Sequence, residues 1–181
     1  MLQKLKMNKY SKGDLSENII DILLNDVWDI PHTTVNRNKD SSGNNAVQLI
    51  KVNGKTFLLP DISVFDDNFE EIVLRIEVKS FVQLPKRGSP NPSLPLFPIK
   101  IRQLFSYAGL QSEEEVGIKI VITVGQHDTS YYWCSIDEMM NNLSSIRSDW
   151  GGEDSLWFNI KELHSDFKNF GIKYEFYNKG E

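Results

Sequence analysis

The sequence has very little cysteine, with Cys134 alone among 181 residues. One cysteine excludes an intramolecular disulfide framework and any multi-cysteine zinc or iron–sulfur site. The chain also lacks a run of about 18 apolar residues, the minimum for a membrane-spanning helix. Residues 1–10 contain lysines but no apolar segment, so we expect no signal peptide there. These absences predict a cytoplasmic protein without membrane association.

The distribution of charge is more informative than its total. The composition, 40% hydrophobic and 25% charged, is ordinary for a soluble domain, and the net charge of −5 argues against indiscriminate coating of nucleic acid. Residues 79–112, however, contain five basic residues and no acid, whereas residues 13–78 and 113–181 each have a net charge of −7. This acid-free charge pattern predicts that residues 79–112 form one side of a groove that faces phosphate groups. The alternative is an ordinary solvated surface.

Apolar periodicity and turn chemistry predict a helix, three strands, a second helix and a further strand, in that order. Asn53-Gly54 is typical of a two-residue hairpin, and the density of proline in residues 85–98 predicts a long loop without regular structure. We expect Ile101, Leu104, Phe105 and Ala108 to face the core. The predicted bounds are 11–26 (helix), 33–36 (short strand), 47–52, 55–65 and 72–81 (strands), 99–111 (helix), 117–124 and 131–135 (strands), 136–143 (helix), 148–155 (polar turn), 156–159 (edge strand) and 160–170 (helix).

Two charged positions fall where packing alone does not explain them. Side chains alternate along a strand, so Glu77 and Lys79 share one face while Val78 points to the other. The hairpin brings Asp61 of the preceding strand near Glu77. Two carboxylates with a backbone carbonyl form a hard-oxygen site of the kind that Mg²⁺ prefers. Lys79 beside such a metal is placed to orient or deprotonate the attacking water, or to neutralise a pentacoordinate phosphate.

Pro60-Asp61, followed after fifteen residues by Glu77-Val78-Lys79, resembles the signature of the PD-(D/E)XK nuclease superfamily. This restriction-endonuclease-like group includes restriction enzymes, junction resolvases and repair exonucleases. One branch has a Gln-x-x-x-Tyr motif on the second helix. Gln103 and Tyr107 match it, and the helical spacing predicts that both side chains lie on one face. The resemblance covers about the first two thirds of the chain. The four cysteines of the iron–sulfur members of that branch are missing.

The resemblance implies an α/β fold with an αβββαβ core, a central mixed sheet flanked by helices, and here a C-terminal α/β extension. We therefore expect one nuclease-like domain over 1–181, with its core at about 14–124 and the extension at about 125–181. The expected catalytic residues are Asp61, Glu77, Lys79 and Gln103. The expected metal ligands are Asp61, Glu77, the Val78 carbonyl and, from the resemblance, Glu17. The expected substrate-binding residues are Tyr107, Lys86, Arg87, Lys100 and Arg102.

Simpler interpretations of the same residues remain open at this point. Glu77 and Lys79 can be an exposed strand face with a cross-strand ion pair, and Glu17 can be a solvated helix acid. Gln103 can cap a helix or lie on the surface, and Tyr107 can be packing at the rim. Cys134 has no histidine partner in its neighbourhood and is expected to be a buried small apolar residue.

The function predicted from these residues is Mg²⁺-dependent hydrolysis of DNA phosphodiester bonds, with Mn²⁺ able to substitute. An endonuclease of restriction, repair, recombination or mobile-element type is expected, with a homodimer and a protein partner at the acidic C-terminal part as further expectations. The alternative is an inactive nuclease-like subunit that binds DNA or protein. A third interpretation is a structural α/β domain with an accidental motif, which would place Asp61 and Glu77 on opposite faces of the sheet.

Overall fold

The computed structural model describes residues 24, 30–34, 48–125, 130–141, 146–150, 152–166 and 170. The predicted first helix at 11–26 lies outside these residues apart from Leu24, which is buried. No helix in the described part of the chain is long and apolar enough to cross a membrane.

The described residues form strands, two α-helices and one short 3-10 helix, arranged in three sheets. The bounds are β1 His32–Thr34, β2 Leu49–Val52, β3 Lys55–Leu58, β4 Ile62–Phe65, β5 Ile72–Phe81, β6 Leu96–Lys100, α1 Ile101–Glu114, β7 Gly117–Val124, β8 Ser130–Ser135, α2 Ile136–Asn141, β9 Ile146–Trp150, β10 Glu153–Asn159 and the 3-10 helix Ile160–Glu162. The predicted bounds of 72–81 and 117–124 are confirmed.

The central sheet has five strands in the order β1-β4-β5-β7-β8. β4 and β5 are antiparallel, whereas β5 and β7 are parallel from Leu74 beside Gly117 to Phe81 beside Val124. A parallel pair needs a crossover connection, and α1 lies in this one. The predicted α/β fold with a central mixed sheet is therefore confirmed.

The three strands before α1 are connected differently from the prediction. The segment predicted as one strand at 55–65 is two, β3 and β4, which belong to different sheets. The predicted strand is interrupted at Pro60, because proline has no backbone N–H to donate to a neighbouring strand. β2 and β3 form a separate hairpin whose turn residues Asn53 and Gly54 both have positive φ, as the Asn-Gly motif predicts. β1 takes the place beside β4 that had been predicted for residues 47–52.

The predicted proline-rich loop is shorter than expected, and the prediction of no regular structure over 85–98 is wrong at its end. β6 contains Pro98, and the second helix begins at Ile101 rather than at residue 99. β6 lies at the edge of a sheet with the order β6-β10-β9, and there a proline can leave its missing N–H on the unpaired side.

Three C-terminal predictions are also wrong. The polar turn expected at 148–155 belongs to the β9–β10 hairpin, and β10 is the central strand of its sheet rather than an edge strand. The helix expected at 160–170 ends after the 3-10 helix Ile160–Glu162. His164 instead exchanges two backbone hydrogen bonds with Trp133 of β8. This tertiary pairing competes with the backbone bonds that a helix would need.

Two hydrophobic clusters cover the two faces of the central sheet. One contains Leu74, Ile76 and Val78 of β5, and the other contains residues of α1 and β7. Helix α1 buries Leu104, Tyr107 and Leu110. The expectation that Phe105 faces the core is wrong, since this side chain is 53% exposed.

Helix α1 also packs closely on the β2–β3 hairpin. A Cβ at Gly109 would lie 2.7 Å from the Phe57 ring, so the absence of a side chain permits this approach. The Ser106 hydroxyl accepts a hydrogen bond from the backbone N–H of Leu58 at 2.7 Å. The hairpin therefore packs along α1 at Ser106 and Gly109, about one and two turns beyond Gln103.

Candidate active site

Asp61 and Glu77 are two buried carboxylates, one immediately before β4 and the other in the neighbouring strand β5. Asp61 follows Pro60 immediately before β4, and its Oδ2 accepts a hydrogen bond from the backbone N–H of Val78 at 2.7 Å. Ile62 pairs with Ile76 in the β4–β5 register, so the next position places Asp61 opposite Glu77 on the same face. Asp61 is 2% exposed and Glu77 is 1% exposed. This arrangement rules out the accidental motif with carboxylates on opposite faces.

The Glu77 carboxylate accepts hydrogen bonds from three predicted site residues. Lys79 Nζ donates to Oε1 at 2.5 Å, and Gln103 Nε2 donates to the same oxygen at 2.8 Å. The Tyr107 hydroxyl donates to Oε2 at 2.5 Å. Bonds to an ionised carboxylate are stronger than neutral ones. The interpretation of Glu77 and Lys79 as an exposed strand face is therefore wrong.

Local geometry explains why Gln103 and Tyr107 meet the same carboxylate. Residues four apart on a helix lie on one face, and Gln103 Nε2 also donates to the Tyr107 hydroxyl at 2.9 Å. Tyr107 is buried, so the alternative interpretation, in which its side chain packs at the rim of the site, is wrong. The structure thus places the Tyr107 hydroxyl on Glu77, where it orients the carboxylate.

A pocket of about 220 Å³ opens beside this network. Lys79, Gln103 and Tyr107 line it together with Lys100 and Arg102 of the β6–α1 junction. The other lining residues are at the open end of the β2–β3 hairpin: Leu58 and the flanking, backbone-paired Gln48 and Leu59. Sequence reasoning missed these three hairpin residues. The Asn53-Gly54 turn indicated the hairpin, but nothing local indicated that it would fold over the start of α1.

The predicted substrate-binding residues divide into two groups. Lys100 and Arg102 line the pocket, and both also form ion pairs with Glu153 of β10. Lys86 and Arg87 lie exposed in the loop between β5 and β6 and are not among the residues lining this pocket. Glu17 lies outside the described residues, so its predicted role as a metal ligand stays a prediction.

The donor set fits a hard divalent cation. Asp61 and Glu77 contribute carboxylate oxygens, and Mg²⁺ is typically bound by one or two carboxylates together with water and substrate phosphate oxygens. In the part of the chain that the structure describes, no group of three or more His, Cys, Asp or Glu side chains is arranged to hold a metal ion. Carboxylate oxygens are hard ligands, which suit Mg²⁺ better than a soft metal.

A second ionic group lies two residues before Glu77, on the same face of β5. Arg75 Nε and Nη2 donate to the two carboxylate oxygens of Glu114 at 2.6 and 2.7 Å, and Nη1 donates to the Ser63 hydroxyl at 2.7 Å. This bidentate pair joins β5 to the C-terminal end of α1. It holds the helix that supplies Gln103 and Tyr107.

Cys134 is not a candidate nucleophile. The thiol lies within the core, and burial, with a smaller effect of Glu138, raises the pKa of Cys134 to about 12. A thiol with such a pKa stays protonated near neutral pH, and the thiolate is the reactive form. The expected buried role of Cys134 agrees with its position.

No family model matches the chain, and no curated protein matches it. Among solved structures, the chain is similar to a Holliday junction resolvase from Archaeoglobus fulgidus, with 13% identity, a TM-score of 0.48 and coverage of 89% of this chain and 97% of that chain. It is also similar to a nuclease from a fusselovirus, with 7% identity, a TM-score of 0.48 and coverage of 88% and 90%. The described core is an α/β fold with a central mixed sheet of five strands.

Replacing Tyr107 by phenylalanine tests whether its hydroxyl positions Glu77. We expect a free-energy cost of about 1–3 kcal/mol in urea unfolding, because a buried carboxylate loses a donor. If the Mg²⁺-dependent nuclease activity predicted from the sequence is present, DNA cleavage should fall with a changed dependence on Mg²⁺ concentration, since Glu77 would be less well oriented. Tyr132→Phe in β8 is the matched control. An unchanged metal dependence in Tyr107→Phe would contradict the positioning role.

Proposed function

We propose that the chain is a Mg²⁺-dependent nuclease that hydrolyses DNA phosphodiester bonds, most simply as an endonuclease of restriction, repair, recombination or mobile-element type. One observation carries this proposal. Two buried carboxylates, Asp61 and Glu77, lie at opposed positions, and Lys79, which donates a hydrogen bond to Glu77, lines a pocket that Lys100 and Arg102 also line. A structural role alone does not account for so many polar groups on one buried carboxylate, since buried ionic groups are costly.

Asp61 and Glu77 are the residues that would hold the metal, with the Val78 carbonyl and Glu17 as further candidates. A bound Mg²⁺ would polarise a phosphoryl oxygen and lower the pKa of a coordinated water. The backbone N–H of Val78 fixes the Asp61 carboxylate, while Gln103 and Tyr107 fix that of Glu77. Such preorganisation matters because ligands held in place need no rearrangement during the reaction.

Lys79 is the proposed catalytic cation. Its Nζ is held by Glu77 at 2.5 Å, and the side chain lines the pocket. An ammonium group at this position can orient the attacking water or neutralise the negative charge that develops on the phosphorus oxygens. Gln103 uses its amide nitrogen on Glu77 and Tyr107, so its carbonyl oxygen is the group to accept a hydrogen bond from water.

The rim of the pocket suits a phosphate backbone. Lys100 and Arg102 lie at the start of α1, whose first turn contains no acid, and the N-terminal end of a helix favours anions. Phosphate contacts of this kind position a nucleic acid without reading its sequence. Cleavage of both strands of a duplex would further favour a two-fold dimer.

A cleavage assay tests the proposal directly. The purified chain is incubated with plasmid, linear and branched DNA, with Mg²⁺, with Mn²⁺ or with EDTA. We expect cleavage with either metal and none with EDTA, and loss of cleavage in Asp61→Ala. Calorimetric titration with Mn²⁺ should show binding to the wild type and much weaker binding to Asp61→Ala. An inert wild type on every substrate, together with no Mn²⁺ binding, would favour the alternative of an inactive nuclease-like subunit.

A further inference from the structure

A single carboxylate bridges the two cations at the rim of the pocket. Glu153 Oε2 lies 3.1 Å from Lys100 Nζ, and Glu153 Oε1 lies 3.6 Å from Arg102 Nη2. Both carboxylate oxygens are therefore directed at groups that also line the pocket. Two oxygens of one DNA phosphate would present the same charge and the same pair of acceptors to Lys100 and Arg102.

The pairing of β10 with β6 places Glu153 near Lys100. Glu153 is the first residue of β10, next to the β9–β10 turn. Two residues further along, Ser155 is paired with Lys100 in the β10–β6 register. The sheet that carries the acid is thus the same sheet that leads into α1 and its basic first turn.

The bridge is accessible enough to be displaced. The side chains of Lys100, Arg102 and Glu153 are 35%, 69% and 39% exposed. Ion pairs in such surroundings are weak, because water screens the attraction and the side chains lose entropy. The Arg75–Glu114 pair, whose side chains are 3% and 15% exposed, has no such access. A DNA phosphate can compete for the first pair but not for the second.

We propose that Lys100 and Arg102 form a phosphate-binding subsite for DNA, and that Glu153 occupies it as a mimic of the phosphate until DNA displaces it. This inference rests on the proposed function, because it assigns a substrate group to the same pocket. Glu153 lowers the affinity for every phosphate ligand of the subsite by the same factor, so a ligand that also engages the rest of the site is needed for strong binding. It also gives a role to one acid of residues 113–181, which have a net charge of −7.

Glu153→Gln separates this role from a structural one. Binding of a fluorescein-labelled DNA duplex is measured by anisotropy in EDTA, between about 50 and 200 mM salt. We expect about three- to tenfold tighter binding of DNA. One exposed ion pair changes an equilibrium constant by up to about fivefold, and DNA no longer has to displace two such pairs. The slope of log affinity against log salt should steepen by up to about 0.9, the value for one additional phosphate contact.

Glu113→Gln is the matched control. Glu113 also pairs with a lysine, Lys55, but it lies ten residues beyond Gln103 on α1, about 15 Å along the helix axis. The substitution changes net charge equally without touching the subsite. Equal tightening by Glu153→Gln and Glu113→Gln would overturn the inference, because it would show a general charge effect.

A double-mutant cycle provides the second arm. Lys100→Met should weaken DNA binding more in the Glu153→Gln background than in the wild type, since only there does Lys100 meet the phosphate without competition. Equal effects in both backgrounds would overturn the inference. Far-UV circular dichroism and urea unfolding establish that each variant is folded.

Binding in EDTA and cleavage with Mg²⁺ distinguish this inference from the proposed function. If the wild type cleaves DNA but Glu153→Gln behaves as Glu113→Gln does, the phosphate mimic fails and the nuclease stands. If wild type and Glu153→Gln bind no DNA, with no cleavage by either, both fail. Tighter binding by Glu153→Gln without cleavage by any variant supports the subsite and contradicts the nuclease.

Discussion

Lys79→Met is expected to reduce the rate of DNA cleavage by about 100- to 1,000-fold, the usual effect of removing one group that stabilises transition-state charge. Lys79 Nζ donates a hydrogen bond to the Glu77 carboxylate, and the Lys79 side chain lines the pocket. Methionine keeps much of the apolar length of the side chain and removes the charge. Single-turnover cleavage with protein in excess measures the chemical step apart from binding.

Lys55→Met is the control for this variant. Lys55 also pairs with a glutamate, Glu113, but at the far end of α1 and in an exposed position. We expect its cleavage rate to match that of the wild type. If Lys79→Met cleaved at the wild-type rate while remaining folded and metal-bound, Lys79 would not be the catalytic cation. The Glu77–Lys79 pair would then be structural.

Arg75→Met is expected to lower the free energy of unfolding by about 3–5 kcal/mol, because removal of one partner leaves the other charge buried. Arg75 makes two hydrogen bonds to Glu114 and one to Ser63, and its side chain is 3% exposed. The lost contacts join β5 to the end of α1. Urea unfolding followed by circular dichroism measures the change.

Two variants make this result specific. Lys55→Met breaks an exposed pair on the same helix and should cost at most about 1 kcal/mol. Adding Glu114→Gln to Arg75→Met should recover part of the loss, since no carboxylate is then left without its guanidinium. A cost for Arg75→Met no larger than that for Lys55→Met would show that the pair contributes little.

Parts of the candidate site followed directly from local sequence. Gln103 and Tyr107 were expected on one face because helical geometry brings residues four apart together, and they do share the Glu77 carboxylate. Glu77 and Lys79 were expected on one face because strand residues alternate, and they form an ion pair. Neither inference needed knowledge of a distant segment.

Other features depended on partners far along the chain. Phe105 was expected in the core because it is apolar, yet its side chain is exposed and Tyr107 is buried instead. Tyr107 can be buried because its hydroxyl donates a hydrogen bond to Glu77. Pro98 lies in a strand because β10 pairs with it on one side. His164 leaves its predicted helix because it pairs with Trp133. Each outcome was decided by a segment more than 25 residues away.

The amino-acid order alone was enough for the α/β class, the bounds of β5 and β7, and the shared faces of Glu77 with Lys79 and of Gln103 with Tyr107. Backbone geometry explains this, because periods of 2.0 and 3.6 residues select the side chains that share a face. The tertiary structure alone decided how the β2–β3 hairpin covers the pocket and that Glu153 meets Lys100 and Arg102. Those contacts arise from sheet pairings between distant segments, and local periodicity contains no information about which segments pair.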